Sequence, residues 1–498
     1  MLVLGHDGRA TVRNDPFVSG PAMTPAPAAA GLAGAAGARA AAAAVAPRAA
    51  AGARAAAARA AATGTNARSS SKPKPKPKVK PGPTVLSELA RMQQAQLITA
   101  ADDRGYVAQY NSALATEKRL TGTRRTELTA VTVTMHGIAA AHRLSPSRLP
   151  VLFATLAANQ KWWTTGPLLS YGQRVEFAGS QLLWEYYPGQ GIQLTALGNF
   201  GKAAGLYTAG PAQYPAMEQL LGELIPLAAR RAGGLAWEYY FTFDGGVAPW
   251  TSAMSQATAL EALSRAYLAT HDPYYLTIAA QAVPLFTVAP PAGVAVPTTL
   301  GTRYLQYTFA PGDSIINAFL QTLIGLDEYA TASGDPTAQQ LFAAGNAEAM
   351  AEVPSFDTGA WSLYQPGLED DLSYHELVTG FLARLCTLTA APVYCTTAQR
   401  FQADLTTPPA LTQLTVGDRA PRRPLALRFQ LSKESHVGVT VTGPSGATVY
   451  ATSAEVPYGA HSFTVPPLTR PGSYGVALTA TDLAGNYARI TGSLTVSP

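Results

Sequence analysis

Cysteine is almost missing: Cys386 and Cys395 are the two in a chain of 498 residues. Two thiols exclude a zinc ribbon or a cysteine-rich scaffold. Charge is also sparse, at 13% of residues against 47% hydrophobic, the balance of a globular chain. No segment offers about 18 uninterrupted apolar residues, the length a membrane helix needs. The alanine-rich stretch after Pro27 is broken by Arg39, Arg48, Arg54 and Arg59, and the N-terminus has no clear apolar signal core. There is no phosphate-cradling glycine loop ahead of a helix, no Gly-x-Ser-x-Gly elbow and no Walker lysine. The seven histidines are scattered, with no pair at metal-ligand spacing. Neither a metal nor a cofactor is expected.

The formal net charge of +5 belongs to one end of the chain. Residues 1–83 carry 12 Lys and Arg against Asp7 and Asp15, leaving 24 basic and 29 acidic residues for the rest. A folded part that is mildly acidic does not suit nucleic acid, whose binders carry the basic patch on the folded surface. Residues 1–83 read as a disordered Ala/Arg- and Lys/Pro-rich tail. In the run Lys72-Pro-Lys-Pro-Lys-Pro-Lys-Val-Lys-Pro81, alternating proline removes backbone donors, so an extended spacer is expected.

Helical patterning begins at Thr84, with Val85, Leu86, Leu89 and Met92 at three- and four-residue spacing. It continues through Glu117–Leu128, Thr132–His142 and Pro150–Asn159, defining a helical region 84–163. Residues 164–213 read as a small β-rich region. Residues 214–407 read as successive helix pairs: Ser252–Thr270, Asp313–Ala330, Thr337–Ala351, Leu372–Leu385 and Thr396–Leu405. Such pairs predict an α/α toroid, which leaves a cleft at one end. From Leu425 the period becomes two, and short strands with turns at Gly443-Pro-Ser-Gly446 and Pro471-Gly472 predict an all-β, Ig-like sandwich over 411–498. The fold expected is therefore mainly α, with a C-terminal β-sandwich.

Glu369-Asp370-Asp371 could hold a hard cation, but a solvated acidic helix start is the simpler reading. Between the cysteines, Thr-Leu-Thr-Ala-Ala-Pro-Val-Tyr reads as a turn between helices. A disulfide across it, implying an oxidising compartment, and two unpaired thiols both remain open. Tyrosines stand out because they sit in loops before helices: Tyr186-Tyr187-Pro-Gly-Gln190-Gly191, Tyr304 and Tyr307 ahead of Pro311, Tyr364 after Asp357-Thr-Gly359, and Tyr374-His375. Tyrosines on helix faces usually only pack. On Gly/Pro-rich loops over a rigid scaffold they are candidates for a sugar site.

Trp250-Thr-Ser-Ala-Met-Ser-Gln256, Leu263-Ser-Arg-Ala-Tyr-Leu268 and Asp272-Pro-Tyr-Tyr-Leu276 resemble the helix signature of D-glucuronyl C5-epimerases. The resemblance runs on through Tyr307, Pro311, Asn317-Ala-Phe319, Leu323-Ile-Gly-Leu326, Asp357-Thr-Gly359, Tyr364 and Tyr374-His375, and upstream takes in Glu185-Tyr-Tyr-Pro188 and Asn199-Phe-Gly-Lys202. It covers about half the chain. It implies loss and return of the C5 proton of glucuronate within a glycosaminoglycan-like polysaccharide, giving iduronate, with catalytic tyrosines at Tyr307, Tyr364 and Tyr374. Substrate contacts would come from Tyr186, Tyr187, Gln190, Gln306 and His375, and the sugar carboxylate would meet Arg174, Lys202 or Arg303. The family has a glutamate where this chain has Gln306, and the basic residue that follows the second tyrosine in animal enzymes is absent from Gln365-Pro-Gly367. A homodimer and a cell-envelope or extracytoplasmic location are further expectations. A polysaccharide lyase using the same proton, and a non-catalytic glycan-binding envelope protein, are the rival readings.

Overall fold

A computed structural model describes residues 1–13, 82–416 and 423–496. The chain groups into two units: the first holds the residues up to Asp313 together with Gln321–Gly345, the second Ser314–Leu320 and everything from Asn346 onward.

The first unit begins with strands β1 (Leu2–Leu4) and β2 (Ala10–Val12). Helices α1 (Val85–Gln94), α2 (Ala100–Arg119), α3 (Gly122–Ala140) and α4 (Leu149–Thr165) follow and pack on one another. Thr84 and Thr99 each close a capping box, satisfying amides at the helix start. The expected helix over Glu117–Leu128 is interrupted, because Leu120 is extended and Gly122 takes φ 56°. Next come β3 (Arg174–Phe177), β4 (Trp184–Tyr187) and β5 (Gly191–Leu194), in one sheet of order β2-β1-β3-β4-β5.

That sheet corrects the expectation of a tail from residue 1. β1 runs parallel to β3, with Leu2 opposite Val175, and Leu4 is fully buried. Three-residue strands are too short for an alternation to show. Residues 14–81, with the Lys/Pro spacer, lie outside the described residues. The region 164–213 is also less β-rich than expected, since α5 (Ala196–Thr208) occupies much of it.

The helical pairs appear as foreseen, but short hairpins separate them. After α6 (Tyr214–Leu224) come β6 (Ala229–Arg231) and β7 (Gly234–Ala236), then α7 (Ala253–Thr270) and α8 (Pro273–Ala282). β8 (Ala295–Pro297) and β9 (Thr302–Tyr304) precede α9 (Ile316–Ser333) and α10 (Pro336–Glu352). β10 (Leu363–Gln365) and β11 (Leu368–Glu369) precede α11 (Leu372–Thr389) and α12 (Pro392–Asp404).

Three helix–helix turns share one chemistry: His271-Asp272-Pro273, Gly334-Asp335-Pro336 and Ala390-Ala391-Pro392. The first residue is left-handed and ends one helix, and proline at the first helical position starts the next. Asp272 and Asp335 accept amide hydrogens of the new helix, from Tyr274 at 2.9 Å and Thr337 at 2.7 Å. Ala391 has no such side chain, and this is the turn that the Cys386–Cys395 disulfide closes. α7 is buried on nearly all sides. Gly325 of α9 lies so near it that a Cβ would stand 2.1 Å from the Ala257 carbonyl oxygen. No described helix is long and apolar enough to cross a membrane.

In the second unit the chain ends in β12 (Leu411–Val416), β13 (Leu425–Leu431), β14 (Ser435–Thr442), β15 (Thr448–Val456), β16 (Gly459–Val465), β17 (Gly472–Asp482) and β18 (Tyr487–Val496). They form two antiparallel sheets, β12-β13-β16 and β15-β14-β17-β18. Alternation sends Leu425, Leu427, Phe429 and Leu431 from one sheet, and Val437, Val439 and Val441 from the other, into a shared core.

Candidate active site

In the first unit the Trp250 signature anchors the loop that carries Tyr307. Ser252 caps α7, and its Oγ also donates to Gln306 Oε1 at 3.1 Å. Thr308 N donates to the Thr251 carbonyl and Ala253 N to the Leu305 carbonyl, so residues 305–308 are pinned to the start of α7. Gln256 bonds both backbone groups of Trp237. Tyr307 is 1% exposed, stacked on Phe309 at 5.2 Å, with its ring edge-on to Trp250 at 5.8 Å. Gln306 is buried, and an amide has no proton-accepting role there.

The second unit brings together Tyr364 and Tyr374. Tyr364 lies on β10 and Tyr374 in the first turn of α11, and their rings meet edge to face at 5.2 Å. Asp371 caps α11 by accepting from Tyr374 N at 2.9 Å. Beneath the pair is a polar network. Ser362 Oγ–H donates to Asp370 Oδ2 at 2.5 Å, and the same oxygen lies 2.8 Å from His375 Nδ1. Ser362 N–H donates to that Nδ1 at 3.1 Å, so Nδ1 is the acceptor and Nε2–H donates to the Phe401 carbonyl at 3.0 Å. Burial holds the imidazole neutral, with its pKa lowered to about 4.

The Ser362 hydroxyl hydrogen serves one acceptor at a time: it goes to Asp370 when that carboxylate is ionised, and it is free for Nδ1, beside the Ser362 N–H, when Asp370 is protonated and gives its own proton to Ser362 Oγ. Burial raises Asp370 to about 7, in keeping with that relay. Although serine, histidine and aspartate meet, this is not hydrolase machinery: Asp370 binds the serine rather than the far imidazole nitrogen, and all three are buried.

His375, expected as a substrate contact, lies in the interior, stacked on Trp361 at 4.0 Å. The acidic helix start is corrected. Asp371 caps as expected, but Asp370 is 1% exposed. Glu369 is raised to about 7 by burial, while its carboxylate accepts from Glu434 N and Tyr458 N. Trp361, Ser362 and Asp370 were not foreseen as partners, because they lie on separate short elements with no common period.

The upstream residues are largely interior. Buried Glu127 accepts from Tyr186 Oη, Gly189 N and Gly191 N, each at 2.9 Å. Tyr187 Oη donates to Glu185 at 2.5 Å, and its ring stacks on Phe241. Burial raises both phenols. Gln190 Oε1 accepts from Thr242 N. Lys202 is 1% exposed and pairs with Glu176 at 2.5 Å, which also binds Arg13. Arg174 pairs with Glu185 at 3.2 Å. Tyr186, Tyr187, Lys202 and Arg174 thus each have a carboxylate partner within the protein. Arg303 is half-buried on β9.

Residues 233–403 match the family model of the D-glucuronyl C5-epimerase C-terminus. This segment, about a third of the chain, is thus placed in the D-glucuronyl C5-epimerase family. The matched segment holds Tyr307, Tyr364 and Tyr374. Over 128 residues the chain is 32% identical to the D-glucuronyl C5-epimerase of Caenorhabditis elegans, covering 23% of this chain and 21% of that protein. An uncharacterised protein of Methanocaldococcus jannaschii is 27% identical over 137 residues, covering 26% of this chain and 44% of that one. The chain thus spans less than half the length of either relative. Among solved structures, cellobiose 2-epimerase from Bacillus thermoamylovorans B4167 has a TM-score of 0.33 at 10% identity, over 56% of this chain and 74% of that one. D-mannose isomerase has 0.32 at 13% identity, over 57% and 73%. At such scores the fold rests on the chain's own elements.

Proposed function

We propose that this protein removes and returns the C5 proton of uronate residues within a polysaccharide. The observation that carries the reading is the Tyr364–Tyr374 ring pair inside the matched segment, at 5.2 Å. The C5 hydrogen is α to a carboxylate and very weakly acidic, so the developing charge must be stabilised. Inversion needs one group to take the proton from one face and another to supply it on the opposite face. Tyrosine, with an ordinary pKa of about 10, serves in either role when its surroundings favour the required form. The return reaction exchanges the two roles.

Tyr307 is the third proposed participant, and Arg303, half-buried on β9 within the matched segment, is the proposed cation for the sugar carboxylate. The helix pairs of the matched segment support an α/α toroid, and the two-sheet order of the C-terminal strands supports an Ig-like sandwich. A disulfide favours an oxidising, extracytoplasmic location. Gln306 in place of the family glutamate favours a second reading, a glycan binder without turnover. Glucuronate polymers incubated with the protein in heavy water test both, followed by proton NMR of the sugar. Loss of the C5 signal supports the proposal, and binding without exchange leaves the second reading. Elimination would instead release an unsaturated product absorbing in the ultraviolet.

A further inference from the structure

The C-terminal strands are tied by polar groups to the segments that carry the tyrosine pair. Lys433, in the turn between β13 and β14, is 1% exposed. Its Nζ pairs with Asp482 at 2.7 Å and donates to the carbonyls of Asp404 and Thr407 at 2.7 and 2.5 Å, at the end of α12. The ammonium also lies over the Trp361 ring, 5.1 Å from its centroid. The other contacts of Trp361 lead straight to the pair. It stacks on His375, the neighbour of Tyr374, and its Nε1 donates to the Asp370 carbonyl at 2.9 Å.

A second connection is independent of the lysine. Glu369 lies on β11, opposite Leu363 of β10, one residue from Tyr364. Its carboxylate accepts from Glu434 N at 3.0 Å and from Tyr458 N at 3.3 Å, both in the strand domain. Asn486 Nδ2 adds a bond to the Leu405 carbonyl at 2.9 Å. An appended sugar-binding module joined by a linker has no need of a buried lysine, nor of a carboxylate bonded to its amides, at its base. Desolvation cancels much of a buried ion pair's attraction, and fixing one arrangement over others is the best-attested use of such a pair.

We propose that the C-terminal strand domain is a brace for the Tyr364–Tyr374 pair, with Lys433 and Glu369 as its positioning residues. Lys433 holds the Trp361–His375 stack from below, and Glu369 ties the β10–β11 hairpin to the strand domain. The inference rests on the proposed reaction for its kinetic consequence but not for its structural one.

The test uses the full chain carrying K433M/D482N, which leaves no buried unpaired carboxylate, and separately E369A, at a partly exposed position. Two quantities are read: kcat and KM for C5 hydrogen exchange, and the ring resonances of 13C-labelled tyrosine, assigned with Y364F and Y374F. A brace predicts that both ring signals move and that kcat falls about 10- to 100-fold, with KM little changed, as displacement of reacting groups by about 1 Å does. Unmoved ring signals overturn the proposal, and so does a rise in KM at constant kcat, which would mark a domain that only contacts the polymer. If the unaltered protein exchanges no hydrogen, the proposed reaction fails and the ring signals alone decide the brace. Should K433M/D482N not fold, E369A carries the same two readouts.

Discussion

Replacing Lys202 with methionine separates an internal cation from a substrate-binding one. Lys202 Nζ is 2.5 Å from Glu176 and also donates to the Gln181 carbonyl at 3.0 Å, with both charged side chains 1% exposed. Breaking a buried pair by removing one partner costs about 3–5 kcal/mol, because the other charge is left uncompensated. Arg13 still pairs with Glu176 at 2.7 Å but is itself 46% exposed, so screening weakens its compensation. The low end, about 3 kcal/mol, is therefore the expected loss. In a unit of this size that lowers the thermal midpoint by roughly 6–12 °C. Differential scanning calorimetry of K202M provides the measurement. The double variant K202M/E176L should regain most of the loss, since an apolar pair of similar volume replaces an ion pair at little cost. An unchanged midpoint with a raised KM would refute the internal role and return Lys202 to the substrate.

Other consequences are equally specific. Introducing aspartate at the uncapped turn, A391D, should stabilise α12 by about 1 kcal/mol, read as a raised midpoint. Reducing the Cys386–Cys395 bond should destabilise the α11–α12 hairpin by about 2–3 kcal/mol, given the short loop it closes, detected by chemical denaturation with and without reductant. Asp370 and Glu369 keep their protons in the folded state up to about pH 7 but release them near pH 4 when unfolded. Their contribution to stability is therefore full below pH 4, falls from there to pH 7 and is flat beyond. His375, lowered to about 4, works in the opposite direction, gaining stability as pH rises from about 4 to 6.5. Asparagine mimics the protonated acid, so D370N should raise the midpoint relative to the parent at pH 8 and lose that advantage at pH 5. An equal effect at both pH values would contradict the buried, protonated Asp370.

What could be read in advance follows from how far each signal extends along the chain. α7 was legible because Ala253, Ala257, Leu260 and Leu263 repeat over several turns, with Ser252 as a visible cap. The β13 and β14 alternation was legible for the same reason. β1 and β2 were not, because each has three residues and the partner strand begins at Arg174. Tyr364 and Tyr374 were found through a family motif rather than a period, and the structure adds that their rings touch. Sequence cannot show that Glu127, Glu185 and Glu176 are the partners of Tyr186, Tyr187, Arg174 and Lys202. Likewise Glu369-Asp370-Asp371 has the composition of a solvated helix start, yet its first two carboxylates face inward. Burial of a charged residue depends on its distant partners, and no local pattern encodes them.

The central claim is a proton transfer at C5 that depends on tyrosine hydroxyls. Its most direct test compares solvent hydrogen exchange at C5 in a uronate polymer for the unaltered protein with that for Y307F, Y364F and Y374F. Each substitution keeps the ring and removes only the hydroxyl. The account predicts exchange by the unaltered protein, and a loss of about 10²–10⁴-fold in rate for Y364F and for Y374F, with folding intact by circular dichroism. Full exchange in both of those variants, or binding of the polymer with no exchange by the unaltered protein, would contradict it.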